Sequence, residues 1–376
     1  MTVHGAAKVR FAAIREAFEN NLESGLDQGA AFAVVYQGHV VVDLWGGHAD
    51  AVGATPWTRD TLVNVWSTTK GVASLAIAML VDRDKLDYEA PVADYWPEFA
   101  ANGKQDVTLG CLMSHQAGLP GSDQPTTLED IYDWHPFADG LAAMAPLWPP
   151  GSTAAYHPLS HGHLAGEVLR RVDGRTMGTF VAEEISRPLG MEFYIGLPEA
   201  EDGRAAETIV GPGTTDPIIE AEDRPLARIG YLNPRFPVDI PNQRPWRAAE
   251  IPAANGHGDA IGLAKLYGAL AQGGSLDGAR LLGRGTLAAA TEERFRGNEA
   301  GFDRPMAFGA GFMLNVDHEF GPSDAAFGHS GWGGSFAYAD PDAGLGVAYV
   351  MNRMLGFGDR PDPRRLALLD ALYSAL

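Results

Sequence analysis

The segment from Val72 to Val81 is almost uninterrupted apolar chain, and its alanine, leucine and methionine content favours a helix. A helix that is apolar on every side belongs in an interior rather than on a surface, so this stretch predicts a buried helix over Gly71 to Val81. It opens with Trp66-Ser67-Thr68-Thr69-Lys70-Gly71, which sets Ser67 at the helix start and Lys70 in its first turn. Residues three apart share one face of a helix, so the Lys70 amine can reach the Ser67 hydroxyl. The chain has five lysines against twenty-three arginines, yet one of the five occupies this most apolar helix. Burial disfavours the ammonium form and turns the amine into a proton acceptor near neutrality, a role that arginine cannot fill. Taken alone, the S-x-x-K spacing fits equally a serine that caps the helix beside a lysine that snorkels to solvent.

The two ends of the chain carry strand patterns and the middle carries helices. Phe11, Ile14, Phe18 and Leu22 fall at helical spacing between charged residues and predict an amphipathic surface helix. Ala31 to Tyr36 and His39 to Trp45 are β-branched runs joined at Gln37-Gly38, a hairpin pattern that recurs with Ser335 to Asp340 and Leu345 to Asn352. A helix carrying Leu366, Leu369 and Tyr373 follows. Between the ends, Leu159 to Val172 and Thr179 to Ile185 read as helices separated by loops rich in proline and glycine. The expected fold is α/β: an antiparallel sheet with flanking terminal helices, formed by residues 1–75 and 250–376, and a mostly helical domain over 76–249. The segments 126–150 and 201–254, aperiodic but rich in aromatics and proline, suit ordered loops that line a pocket.

Composition narrows the partners. A formal charge of −20 and a pI near 4.8 give a field that repels nucleic acid and anionic membranes. No uninterrupted apolar run approaches the ~18 residues that span a bilayer, and none precedes a signal cleavage site, so the expected setting is the cytoplasm. The single cysteine, Cys111, sits in an uncharged stretch and reads as a buried, inert thiol.

Two further elements bear on the chemistry. Tyr156, in the loop Trp148-Pro-Pro-Gly-Ser-Thr-Ala-Ala-Tyr156-His157, precedes the helix from Leu159; a phenol between an amine and a hydroxyl could relay protons, because a nearby cation lowers its pKa toward neutrality. The alternative is an ordinary packed tyrosine. The segment Gly328-His329-Ser330-Gly331-Trp332-Gly333-Gly334 leads into a strand, where its glycines let substrate approach the backbone and the amides of Ser67 and Trp332 form an oxyanion hole. The same glycines also fit a plain bulge or turn.

In this order and at these separations, the three elements resemble the β-lactamase and D-alanyl-D-alanine peptidase superfamily, with S-x-x-K, a tyrosine loop and a K/H-T/S-G strand. Leu112-Met-Ser-His-Gln-Ala-Gly-Leu-Pro120 and Arg187-Pro-Leu-Gly-Met191 are similar to segments of class C β-lactamases and family VIII esterases, so the resemblance covers most of residues 30–355. It implies Ser67 as nucleophile, Lys70 and Tyr156 as the base system, and no cofactor. Departures select within the superfamily. Pro158 stands where class C β-lactamases carry the amide-binding asparagine of Y-x-N, and His329 stands for the lysine that holds a substrate carboxylate. Trp332-Gly333-Gly334 is closer to family VIII carboxylesterases, so the implied substrates are short, uncharged esters.

His329, Gly331, Trp332 and Gly333 are therefore expected at the substrate, with Trp134, Phe137, Tyr231 and Trp246 as apolar pocket walls. His157, His161 and His163 lie close together, but Pro158 and the lack of accompanying carboxylate or thiolate ligands argue for packing rather than a metal site. No G-x-S-x-G elbow and no Walker or Rossmann glycine pattern is present, and His115 reads as structural. Alternatives on the same fold are a β-lactamase or amide hydrolase, an acyltransferase, and a non-enzymatic sensor or assembly protein.

Overall fold

A computed structural model describes residues 2–358 and 360–376. One nine-stranded antiparallel sheet organises it, formed by β1 (Val3–Ala7), β2 (Gly29–Tyr36), β3 (His39–Gly47), β4 (Phe295–Glu299), β5 (Arg304–Phe308), β6 (Met313–Leu314), β7 (Phe327–Ser330), β8 (Phe336–Asp340) and β9 (Leu345–Met351). Their order across the sheet is β1-β3-β2-β9-β8-β7-β6-β5-β4, so the first and last hairpins join in the middle through β2 and β9, paired from Tyr36 with Leu345 to Ala30 with Met351. Both expected hairpins are present, and the two ends of the chain do share one sheet.

The alternation along β2 and β9 divides two cores. Phe32 and Val34, with Val347 and Tyr349, point to a core closed by α1 (Ala12–Glu23), which buries Ile14, Phe18 and Leu22, and by the C-terminal helix. Ala33 and Val35, with Ala348 and Val350, point to the larger core, which also holds α2 (Thr69–Asp82) and α3 (Ser160–Asp173). Helix α2 is buried from Thr69 to Leu80, as its apolar sequence requires. The boundary expected at residue 75 falls inside this continuous helix, whose core side chains come from both parts of the chain. Short helices α4 (Asp216–Ala221) and α5 (Pro225–Leu232) occupy the segment expected to be loop. Among the described residues no helix is long and apolar enough to cross a membrane.

Helix α6 (Ala260–Ala271) lies on the inner face of the sheet, and the C-terminal helix α7 (Pro363–Tyr373) packs beside α1 on the outer face. The inner contact is close because both surfaces are glycine at the crossing. A Cβ on Gly346 would stand 2.0 Å from the Gly268 nitrogen, and one on Gly268 would stand 2.6 Å from Val35 Cγ1.

Strands β1, β4 and β5 carry no readable strand signal. Their sequences are Val-His-Gly-Ala-Ala, Phe-Arg-Gly-Asn-Glu and Arg-Pro-Met-Ala-Phe. They lie at or next to the edges of the sheet, where polar residues and proline are tolerated because one side of the ladder is open.

Gly346→Ala is expected to destabilise the fold by about 1–3 kcal/mol, since two backbones would have to separate. A urea midpoint equal to that of the unmodified protein would contradict this packing.

Candidate active site

The candidate nucleophile, Ser67, sits on a constrained turn. Trp66–Thr68 form a single 3₁₀ turn ahead of α2, and Trp66 takes φ of 48°, a left-handed conformation that costs a non-glycine residue energy. The surroundings hold it there. The Val65 amide donates to the Gly256 carbonyl at 2.9 Å, the Thr69 hydroxyl donates to the Trp66 carbonyl at 2.5 Å, and the Gly256 amide donates to the Thr69 hydroxyl at 2.9 Å. The Trp66 ring packs among Trp332, Trp246 and Phe236, with centroids 4.9, 5.5 and 6.5 Å away.

Lys70 Nζ lies 3.2 Å from Ser67 Oγ and donates to the Pro158 and Ala253 carbonyls, each at 2.9 Å. The side chain is fully buried, and that burial holds its pKa well below the ordinary lysine value. Three oxygens thus surround the nitrogen, and a deprotonated amine could keep its two N–H groups on the carbonyls and turn its lone pair to the Ser67 hydroxyl. Pro158 and Ala253 act through their backbone oxygens, which no side-chain pattern reveals.

Tyr156 departs from expectation. Lys70 Nζ stands 4.6 Å from the centre of its ring, over the face. Burial raises the phenol's pKa above the ordinary value of 10, and its hydrogen-bond contact with Ser67 offsets this only in part. Burial thus favours the uncharged form of both groups, the amine of Lys70 and the phenol of Tyr156. Two groups fix the loop that carries Tyr156. Its amide donates to the buried Glu299 carboxylate at 3.1 Å, while the His115 carbonyl and Nδ1 accept from the Ala155 and His157 amides at 3.2 and 3.1 Å. The His115 ring also packs 4.9 Å from that of Tyr156, which makes it a structural support for the loop.

On strand β7, His329 is buried with Nδ1 2.7 Å from the Ser330 carbonyl, and burial lowers its pKa to about 3. It is therefore uncharged where a lysine would carry a cation. Ser335 joins this strand to the nucleophile turn: its hydroxyl donates to the Val65 carbonyl at 2.8 Å and lies 3.1 Å from the Thr68 hydroxyl. The turn's hydrogen bonds engage the amides of Thr68, Gly331 and Gly334, and leave those of Ser67 and Trp332 out. The Trp332 side chain is anchored through Nε1 to the Thr214 carbonyl at 3.0 Å.

A cavity of about 400 Å³ opens at Ser67, bordered by Tyr156, His329, Gly331 and Trp332. Its outer walls are apolar: Ile218 and Tyr231 from α4 and α5, Phe236, and Phe302, Met306, Met313 and Leu314 from the β4–β6 region. Of its charged lining groups, Arg304 pairs with Glu220 at 2.8 Å, Glu319 pairs with Arg365 at 2.8 Å, and Glu299 accepts backbone amides.

Of the aromatics expected in the pocket, Tyr231 is there and three are not. Trp134 donates to Glu167 at 2.9 Å and packs on His163, as does Phe137; both belong to the helical core. Trp246 is buried behind Trp66, with Nε1 donating to Asn64 at 3.0 Å. Gly333 is buried and does not line the cavity, because its carbonyl points to Arg364. The true walls were hidden in the weakly patterned β4–β6 region. His157, His161 and His163 bind backbone carbonyls inside the core, and burial pushes the Cys111 thiol up to about 11.

Similarity to known proteins runs the length of the chain. The family model described as Beta-lactamase matches residues 15–372. The Esterase/beta-lactamase LipL of Mycobacterium tuberculosis is 37% identical over 363 residues, covering 94% of this chain and 83% of that protein. The crystal structure of a family VIII carboxylesterase superposes with a TM-score of 0.94 at 43% identity, and that of a penicillin-binding protein homolog from Caulobacter crescentus with 0.93 at 46%, each covering 100% of both chains. With the nucleophile turn, tyrosine loop and glycine-rich strand gathered round one cavity, and a family model spanning nearly every residue, the chain belongs to the beta-lactamase family.

Proposed function

We propose that this protein is a serine carboxylesterase that hydrolyses small, uncharged esters through an acyl-enzyme on Ser67. The observation that carries the reading is the buried amine of Lys70, its pKa lowered by that burial, held 3.2 Å from Ser67 Oγ at the floor of an apolar cavity. The esterase names borne by its relatives support it.

The two neutral groups divide the proton transfers. Ser67 Oγ attacks the ester carbonyl and passes its proton to Lys70, while the amides of Ser67 and Trp332 receive the oxyanion. The new ammonium is stabilised where it forms, by the two carbonyls and the face of the Tyr156 ring. As the alkoxide departs, the Tyr156 phenol protonates it, leaving a phenolate beside the ammonium. A water then gives a proton to the phenolate and attacks the acyl carbon; Ser67 leaves and recovers its proton from Lys70. Both groups return to neutral.

Selectivity follows from the absence of a free cation at the oxyanion edge. His329 is neutral, Pro158 replaces an amide donor, and the lining carboxylates of Glu299 and Glu319 repel an anion. A β-lactam thus lacks two contacts, one to its amide side chain and one to its carboxylate, the latter contributing roughly 1.5–3 kcal/mol. The β-lactamase reading is the second candidate, because the name of the Mycobacterium tuberculosis relative includes it. The acidic surface disfavours nucleic acid as a partner and is compatible with a small-molecule ester.

Ser67→Ala is expected to abolish ester hydrolysis in a folded sample. Lys70→Arg should be nearly as damaging as Lys70→Ala, because a guanidinium stays protonated. Tyr156→Phe should cost at least about a hundredfold. Retention of most activity by Lys70→Arg would remove Lys70 as the base. The pH profile has a definite sign: kcat/KM rises as Lys70 loses its proton, at a pH below the ordinary lysine range, and has no falling limb up to the ordinary tyrosine value of 10.

The second expectation concerns substrates. kcat/KM for nitrophenyl butyrate should exceed that for a chromogenic cephalosporin by at least about a hundredfold, the factor expected from two lost polar contacts. A preference for the cephalosporin would establish the β-lactamase reading instead.

A further inference from the structure

Helix α7 delivers one side chain beneath the glycine-rich turn. Arg364 is fully buried, and every guanidinium N–H has an acceptor. Nε donates to Asp362 at 3.1 Å; Nη1 donates to Asp27 at 3.2 Å and to the Arg353 carbonyl at 2.9 Å; Nη2 donates to Asp362 and to the Gly333 carbonyl, both at 2.7 Å. The same Gly333 carbonyl accepts from the Leu355 amide at 3.1 Å. The backbone passes so near that a Cβ on Gly334, where φ is +127°, would stand 2.2 Å from Nη2.

Stability alone does not account for this arrangement. Burying one guanidinium with two carboxylates carries a desolvation cost that a well-packed apolar group of the same shape avoids. The cost is visible in Asp27, whose pKa is raised by burial and whose second oxygen has no partner. What the network does fix is a peptide next to Trp332. On the other side of the turn, Ser335 ties it to the nucleophile, and the Gly331 amide donates to the Ser335 carbonyl at 2.7 Å. The segment that carries the Trp332 amide is thus held on both sides, by the Gly331 amide on the Ser335 carbonyl and by the guanidinium on the Gly333 carbonyl.

We propose that Arg364 is a positioning residue for the reaction: held in a fixed plane by Asp27 and Asp362, it fixes the Gly333 carbonyl and through it the aim of the Trp332 amide at the developing oxyanion. The proposal rests on the reading of Trp332 as an oxyanion donor. A donor that meets charge only in the transition state changes kcat rather than KM when it is displaced. Lysine preserves the charge at this position but not the five-donor plane.

The test compares the unmodified protein with Arg364→Lys and Asp362→Asn, all checked for native circular dichroism and held well below their unfolding temperatures. Two rates are read: turnover of a nitrophenyl ester, and phosphonylation of Ser67 by a fluorophosphonate. In the latter the Oγ–P bond forms, P–F breaks, fluoride departs and the serine proton goes to Lys70. Arg364→Lys is expected to lower kcat by about ten- to a hundredfold, short of the loss seen when an oxyanion donor is removed outright, with KM within about threefold. Phosphonylation should slow in parallel, while the rising limb of the pH profile stays in place. Asp362→Asn should act in the same direction by about three- to tenfold, and it decides the matter if Arg364→Lys does not fold. A folded variant with unchanged kcat, or one in which only KM changes, overturns the proposal. If no ester is turned over by any form, the esterase reading fails, and the phosphonylation rates still judge Arg364.

Discussion

The structure depends on keeping one lysine amine out of water. The Lys70 pKa is lowered because α2 is buried on every side, between the sheet and the helices of the middle of the chain. This accounts for the division of the chain, with a sheet assembled from both ends and helices from the middle closing over α2. The carbonyls that complete the site come from separate places: Pro158 lies just before α3 and Ala253 in the approach to α6. A backbone oxygen is a suitable partner, since it accepts from the neutral amine and stabilises the ammonium formed during turnover.

Around that amine the electrostatics favour neutrality. His115, His157, His161 and His329 are all pushed below the ordinary histidine range, chiefly by burial. Tyr156 is pushed the other way, toward its protonated form, by the same loss of water. A site with no resting charge at its floor, open to an apolar cavity, suits a neutral ester. Charge appears only when the serine proton moves, and the groups that receive it are already in place.

Much of this was legible in the chain. The apolar run after Lys70, the two hairpins and the glycine-rich strand name the nucleophile helix, the sheet and the oxyanion turn, because periodicity and residue type determine such elements locally. Tyr156 was legible as a candidate but not in the direction of its pKa shift, which is set by its burial. The pocket was read poorly for a physical reason. Trp134, Phe137 and Trp246 are large apolar groups in aperiodic segments, and whether such a group faces a cavity or a core depends on tertiary packing alone. The walls supplied by Phe302, Met306 and Met313 lie among arginine, proline and glycine in strands toward one edge of the sheet, where local patterning is weakest. Arg364, more than thirty residues beyond the turn it touches, carries no local signal at all.

The central claim is that Lys70 rests as a neutral amine. Carbon-13 labelling of the lysine side chains gives a small set of resonances, because the chain has only five lysines, and Lys70→Arg assigns the one in question. The account predicts that the Lys70 ε-carbon shows the chemical shift of an uncharged amine in a buffer in which free lysine is fully charged, and that it changes to the charged form only as the pH is lowered. A Lys70 resonance that titrates together with free lysine would show an ammonium at rest, and a mechanism in which Lys70 takes the Ser67 proton would then be wrong.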